Sequence, residues 1–211
     1  MRQGLLVHSM SDTLSRRPRC ERCALPSRTC LCALVAPVRN DVDLLVLQHP
    51  DEARQAKGSA RLMRLSLARC RVVVGEVFEP DMLLALLGGD VSGNALLYPS
   101  ETGAGPLDRS PAALPRRLVV LDGTWRKSLR MLHANPLLQT LPRWSVAPVE
   151  AARYRALRKA RLPEQLSTLE AACAALAHIE AAPARYVPLL SAFDRFVADR
   201  VARTSREPAP R

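Results

Sequence analysis

Aromatic side chains are scarce. Phe, Trp and Tyr make up 4% of the 211 residues, so a core must be built from Leu, Val and Ala. Lysine is nearly absent as well: Lys57, Lys127 and Lys159 are the only three, and the basic character rests on arginine. No window holds the roughly 18 successive apolar residues that a membrane span needs. Met1 to Asp12 lacks the apolar run and small-residue cleavage site of a signal peptide. The expectation is a cytoplasmic protein with no membrane attachment. There is no Walker A sequence and no Gly-x-Ser-x-Gly elbow, and the glycines of residues 88–93 are not at dinucleotide-fingerprint spacing. His8, His49, His133 and His178 are scattered and form no metal pattern.

What is present is apolar and strongly positive. Hydrophobic residues are 48% of the chain and the net charge is +11, which suits a single domain, or one with a small appendage, that meets a polyanion. Residues 1–17 carry no apolar period and are expected to fray. From Asp43 onward, strands and helices alternate. Asp43–Gln48, Arg71–Val74, Asn94–Tyr98 and Arg117–Leu121 read as buried parallel strands. Helices are predicted over 52–69, 81–87, 125–133, 167–179 and 188–201, with a short strand within 142–149 and a Pro/Gly-rich loop over 99–115. This alternation predicts an α/β fold with a mostly parallel sheet. Cys70 and Cys173 lie in apolar surroundings and read as core residues.

Four constellations stand out. Cys20-x-x-Cys23 and Cys30-x-Cys32 place four thiols within thirteen residues, the arrangement of a tetrahedral Zn²⁺ site. Reduced cysteines, an occasional disulfide or an iron–sulfur cluster are the other readings. Leu121-Asp122-Gly123-Thr124-Trp125 lies where a strand ends and a helix starts, the place where open α/β sheets bind ligands. An ordinary helix cap by Asp122 or Thr124 explains the same residues. Residues 115–161 carry eleven positive side chains against Asp122 and Glu150: Arg116, Arg117, Arg126, Lys127, Arg130, Arg143, Arg153, Arg155, Arg158, Lys159 and Arg161. Guanidinium groups suit phosphate oxygens, although a solvated face is the common fate of such runs. Aromatic interleaving is thin (Trp144 and Tyr154), so single-strand stacking is not strongly signalled. Ser167-Thr168-Leu169-Glu170 has the form of a helix start close to a capping box. His49, before Pro50 at a strand end, reads as a polar cap rather than a site residue.

Taken in order, these stretches resemble the DTW-domain family of tRNA-uridine aminocarboxypropyltransferases. The matching residues are Arg19-Cys20-x-x-Cys23 through Cys30-Leu-Cys32, then Leu47-Gln48-His49-Pro50 with Glu52. Ala60-Arg61-Leu62, Leu96-Leu97-Tyr98-Pro99 and Asp122-Gly123-Thr124-Trp125-Arg126-Lys127 follow. The run closes with Asn135-Pro136, Leu141-Pro142-Arg143, Tyr154-Arg155-Ala-Leu-Arg158-Lys159-Ala160 and Leu166-Ser167-Thr168-Leu169-Glu170-Ala171. One departure lies at Lys57-Gly58-Ser59-Ala60, where the family usually has Asn-Thr before the arginine.

The resemblance implies a SPOUT-like α/β fold with a knotted C-terminal part. It divides the chain into a frayed segment 1–17, a four-cysteine metal module 18–40 with structural Zn²⁺, and a catalytic domain 41–205. It implies transfer of the 3-amino-3-carboxypropyl group from S-adenosylmethionine to N3 of a tRNA uridine, releasing methylthioadenosine. Asp122 is then the expected base. Leu97, Tyr98, Pro99, Ser100, Gly123, Thr124, Trp125, Ser167, Thr168 and Glu170 are expected to hold the donor's adenosine and carboxylate. Arg61, Arg126, Lys127, Arg155, Arg158 and Lys159 are expected to meet RNA. No obligate protein partner is expected. A SPOUT-type RNA methyltransferase and a non-enzymatic zinc-ribbon RNA-binding protein are the alternatives.

Overall fold

A computed structural model describes residues 18–55, 59–99, 114–146 and 166–204. Its centre is a five-stranded sheet: β1 (Asp43–Gln48), β2 (Cys70–Val74), β3 (Asn94–Leu97), β4 (Arg117–Asp122) and β5 (Arg143–Trp144). Spatial order is β2-β1-β4-β3-β5, and every pairing is parallel. β1 and β4 lie side by side, with Asp43 opposite Arg117 and Gln48 opposite Asp122.

The side-chain alternation of these strands builds two cores, one on each face of the sheet. Leu44, Val46, Leu118, Val120 and Ala95 face a layer formed by α2 (Ser59–Ser66), α6 (Thr168–Ile179) and α7 (Val187–Thr204). Leu45, Leu47, Val119, Leu121 and Leu96 face α3 (Pro80–Leu86), α4 (Trp125–Ala134) and α5 (Pro136–Gln139). A strand buried on both faces gains nothing from polar alternation, which is why β1 and β4 are continuous apolar runs. Each fully buried Leu or Val contributes about 1.5–3 kcal/mol.

Most predicted elements are present within a residue or two. The single helix predicted over 52–69 is instead two. Pro50 opens α1 (Pro50–Arg54), and Gln55 leaves the helical region with ψ 138° before α2 begins at Ser59. His49 is the α1 cap, its Nδ1 accepting from the Asp51 amide at 3.2 Å. Cys173 is fully buried, and burial pushes the Cys70 thiol up to about 12. Residues 147–165 lie outside the described residues, as do 1–17 and the greater part of the loop 99–115.

The Cys-rich stretch joins the main core directly. Cys23, Leu25 and Leu31 are buried in the same cluster as α6 and α7. A second tie holds the C-terminal layer to the lead-in of β1. Glu180, its side chain 3% exposed, accepts from the amides of Asp41 and Val42 at 2.8 and 2.9 Å, from the Tyr186 hydroxyl at 2.6 Å and from Arg185 at 2.6 Å. Burial, together with that bond, raises the Tyr186 hydroxyl above its ordinary value. Removing the shared acceptor strands several donors, so Glu180→Ala is expected to cost about 3 kcal/mol, read as a lower midpoint in urea unfolding.

Candidate active site and metal centre

Chain connections leave the middle of the sheet in opposite directions. After β1 the chain passes to α1 and α2, and after β4 it passes to α4 on the other face. A crevice between the carboxyl ends of two such strands is the usual ligand site of an open parallel sheet. Gln48 and Asp122 stand at its two lips. Gln48 Nε2 donates to Asp122 Oδ2 at 2.7 Å, and the His49 amide donates to the Asp122 carbonyl at 3.0 Å.

Asp122 is 7% exposed. Burial raises its carboxyl above the ordinary range, since desolvation disfavours the charged form. Hydrogen bonds from the side chains of Thr168 and Gln48 pull the other way, and the Glu52 charge adds to the rise. The Asp122 carboxylate therefore meets the first residue of α6. The start of that helix is a complete capping box: Ser167 Oγ accepts from the Glu170 amide at 3.3 Å, and Glu170 Oε2 accepts from the Ser167 amide at 2.8 Å. Ser167 and Glu170 thus build the helix end that carries Thr168 to the aspartate.

The cap explanation of Asp122 does not hold in the structure. Thr124 occupies the N-cap of α4 and no side chain caps it. Gly123 packs close to its neighbours: a Cβ there would lie 3.1 Å from Lys127 Cβ. Beyond it, Trp125 is 56% exposed and stands edge-on to Tyr98, ring centroids 5.9 Å apart. Arg143 lies over the Tyr98 ring at 5.5 Å, and its buried Nη1 has no hydrogen-bond partner among the described residues. Leu97 is half-buried at the end of β3, Pro99 is exposed, and Ser100 lies outside the described residues. An exposed indole, a stacked arginine with an orphan donor, and a buried carboxylate together suit a ligand with a planar base and polar groups.

The basic block divides. Arg117 pairs with Asp43 at 3.1 Å at the amino end of the sheet, opposite to Asp122. Lys127 is held by Glu52 at 2.8 Å and Asp51 at 3.4 Å. Arg130 pairs with Glu76, and the same carboxylate lies 3.3 Å from His49 Nε2. Arg126 is exposed on α4. Arg61, on α2, lines a cavity beside Gln48 and Glu52. Arg155, Arg158 and Lys159 lie outside the described residues. Sequence reasoning assigns no role to Gln48 and Glu52. Their signal lies in the family resemblance, where Leu47-Gln48-His49-Pro50 and Glu52 belong to one of the matching stretches but carry no assigned role.

The four cysteines converge. All their Sγ atoms lie within 4.8 Å of one another, with Cys20 to Cys32 at 3.6 Å and Cys23 to Cys30 at 3.7 Å. A tetrahedral ion with Zn–S bonds of about 2.3 Å sets its sulfurs roughly 3.8 Å apart, so the donor set fits such an ion. Among the four thiols the shifts are mixed: hydrogen bonds from the Cys23 backbone, the Cys30 thiol and the Arg22 backbone lower Cys20 to about 6, while burial and the neighbouring thiols push Cys32 up to about 12. Ala24 takes a left-handed φ of 56° to turn the chain after Cys23.

Fold and crevice define a parallel α/β protein with a candidate ligand site at its strand ends and a cluster of four thiols. The DTW domain matches residues 17–201, and the chain belongs to that family. It is 31% identical over 173 residues to the mouse tRNA-uridine aminocarboxypropyltransferase 2, covering 78% of this chain and 57% of the relative. The Drosophila melanogaster protein of the same name is 30% identical over 187 residues, 84% of this chain and 73% of the relative. The chain thus spans little more than half of the mouse protein's length. No solved structure matches.

Proposed function

We propose that this protein transfers the 3-amino-3-carboxypropyl group of S-adenosylmethionine to N3 of a uridine in tRNA. The observation that supports this most directly is Asp122: a buried carboxylate of raised proton affinity at the mouth of the central crevice, in a chain whose relatives are named tRNA-uridine aminocarboxypropyltransferase 2. Uridine N3–H is a weak acid and a poor nucleophile until deprotonated. Asp122 takes that proton, and the N3 electron pair attacks the methylene next to sulfur. The carbon–sulfur bond breaks with its electrons going to sulfur, so the sulfonium becomes neutral methylthioadenosine. No general acid is needed for such a leaving group. A desolvated carboxylate is a stronger base than a solvated one, and a proton affinity nearer neutrality suits general base work. Gln48 and Thr168 fix the carboxyl's direction. The tasks left to the chain are positioning the attacked carbon and excluding water.

Around this centre, Tyr98, Trp125 and Arg143 would hold the adenosine. Arg126, with the basic segment 153–161, would meet tRNA phosphates. A structural Zn²⁺ would occupy the four cysteines. We read the catalytic part as SPOUT-like, with residues 18–40 as its metal-bearing unit and the cytoplasm as its setting. The test is nucleoside mass spectrometry of unmodified tRNA incubated with the protein and S-adenosylmethionine. Aminocarboxypropyl-uridine with methylthioadenosine is the expected result. A methylated nucleoside with S-adenosylhomocysteine would replace the reaction, and tRNA binding without product would leave an RNA-binding module.

A further inference from the structure

A cavity of about 290 Å³ opens beside the crevice, on the β2 side of Gln48. That is the lower end of the range for small-molecule sites, and ample for a fragment of an amino acid. Val72 and Val74 of β2 line one side, and Ala24 of the cysteine turn lines another. Its polar lining is unevenly charged. Arg61 and Arg64 come from α2, and Glu52, Gln48 and Gln55 come from β1 and the segment after it. Arg61 and Arg64 are three apart, so one helical face presents both. Neither makes an ion pair among the described residues, although Glu52 of the same cavity is paired with Lys127. Two guanidinium groups with no ion pair among the described residues share the lining of a small cavity with a carboxylate, a set that complements a zwitterion rather than a simple anion or cation.

The cavity also connects to the reacting centre. Gln48 lines it and at the same time donates to Asp122 at 2.7 Å. Resting on the reading of Asp122 as the base, we infer that this cavity is the subsite for the α-amino-carboxylate end of the donor. The carboxylate lies on Arg61 and Arg64, and the ammonium lies toward Glu52. In the aminocarboxypropyl group, two bonds separate the attacked carbon from the carbon bearing the ammonium and carboxylate. A zwitterion held beyond Gln48 therefore leaves the attacked carbon beside Asp122, with the adenosine on the Tyr98–Trp125 side. This assignment takes Arg61 away from RNA and moves the donor's carboxylate away from the start of α6. It also supplies a reason for the methylene, rather than the methyl, to face the nucleophile: the chain is anchored at both ends.

The experiment is calorimetric titration of the full chain with S-adenosylmethionine, its decarboxylated analogue and methylthioadenosine. It is run on the parent, on Arg61→Gln/Arg64→Gln and on Arg64→Gln alone. Charge-assisted hydrogen bonds of this kind are worth enough for a loss of about tenfold or more in S-adenosylmethionine affinity in the double variant. Methylthioadenosine affinity is expected to stay unchanged. The parent is expected to prefer S-adenosylmethionine over the decarboxylated analogue, and the double variant to lose that preference. Arg64 is exposed, so the single variant keeps its fold and carries the same test if the double variant does not. Unchanged S-adenosylmethionine affinity in the variants, with weakened tRNA binding, overturns the subsite and returns the arginines to RNA. A parent chain that binds none of the three ligands overturns the aminocarboxypropyl reading itself, and the subsite with it.

Discussion

Asp122→Asn is expected to reduce aminocarboxypropyl transfer by about 10²–10⁴-fold, the range that general base catalysis supplies, while S-adenosylmethionine affinity stays close to the parent's. Asparagine keeps an oxygen for Gln48 to bond at the 2.7 Å now spanned, so the local geometry persists while the proton acceptor is lost. Rate and affinity falling together would make Asp122 a ligand-positioning residue instead. The same variant is expected to be more stable at neutral pH. Because burial raises the carboxyl's proton affinity in the fold, the folded state holds the proton more tightly than the unfolded chain does. Its favourable contribution is complete below the unfolded carboxylate's range and is lost as pH rises through the folded value. Above that folded value the parent carries a desolvated charge that asparagine does not. Melting temperature should therefore rise as activity disappears. In the parent, activity should climb with pH across a window above the usual carboxylate range, since the deprotonated form is the working one. A flat profile there would count against the base role.

The second large effect is expected at the cysteine centre. Cys23→Ser, or removal of the metal by a chelator, should lower stability well beyond the Cys-rich stretch. Cys23 is fully buried, in one cluster with Leu31, α6 and α7. Structural zinc is worth roughly 10–16 kcal/mol in small peptide sites, so a third of that, transmitted to the shared core, is about 4 kcal/mol. At about 2–4 °C per kcal/mol for a chain of this size, the melting temperature should fall by roughly 10–15 °C. Elemental analysis should find one metal ion per chain in the parent and none in the variant. Full metal loss with an unchanged melting temperature would detach the centre from folding and leave it a role in docking RNA.

The strands are legible because burial on both faces writes itself as an uninterrupted apolar run. Asp43–Gln48 carries such a run and is β1 without adjustment. The capping box at Ser167 and Glu170 is legible for a similar reason, since all of its parts lie within four residues. Partners distant in the chain are not. Gln48 reaches Asp122 only because β1 lies beside β4 in register, and strand order leaves no local trace. The split near Gln55 is hidden because the apolar spacing of 62–68 carries the eye through it. The pairing of Lys127 with Glu52 is equally invisible in a run of basic residues. It leaves Lys127 as part of the crevice's frame, where a count of charges assigns it to a surface. The cavity draws on the cysteine turn, β1, α1, α2 and β2, and no linear pattern announces such a meeting.

The chain has two tryptophans, and their surroundings are opposite. Trp144 is 1% exposed, beside His178, while Trp125 is half in solvent against Tyr98. The protein therefore contains its own fluorescent reporter. The blue part of its emission belongs to the interior and tracks folding, and the red part belongs to the mouth of the crevice. Occupancy of that mouth can be followed by red-edge quenching while the blue component serves as an internal standard, with no label attached.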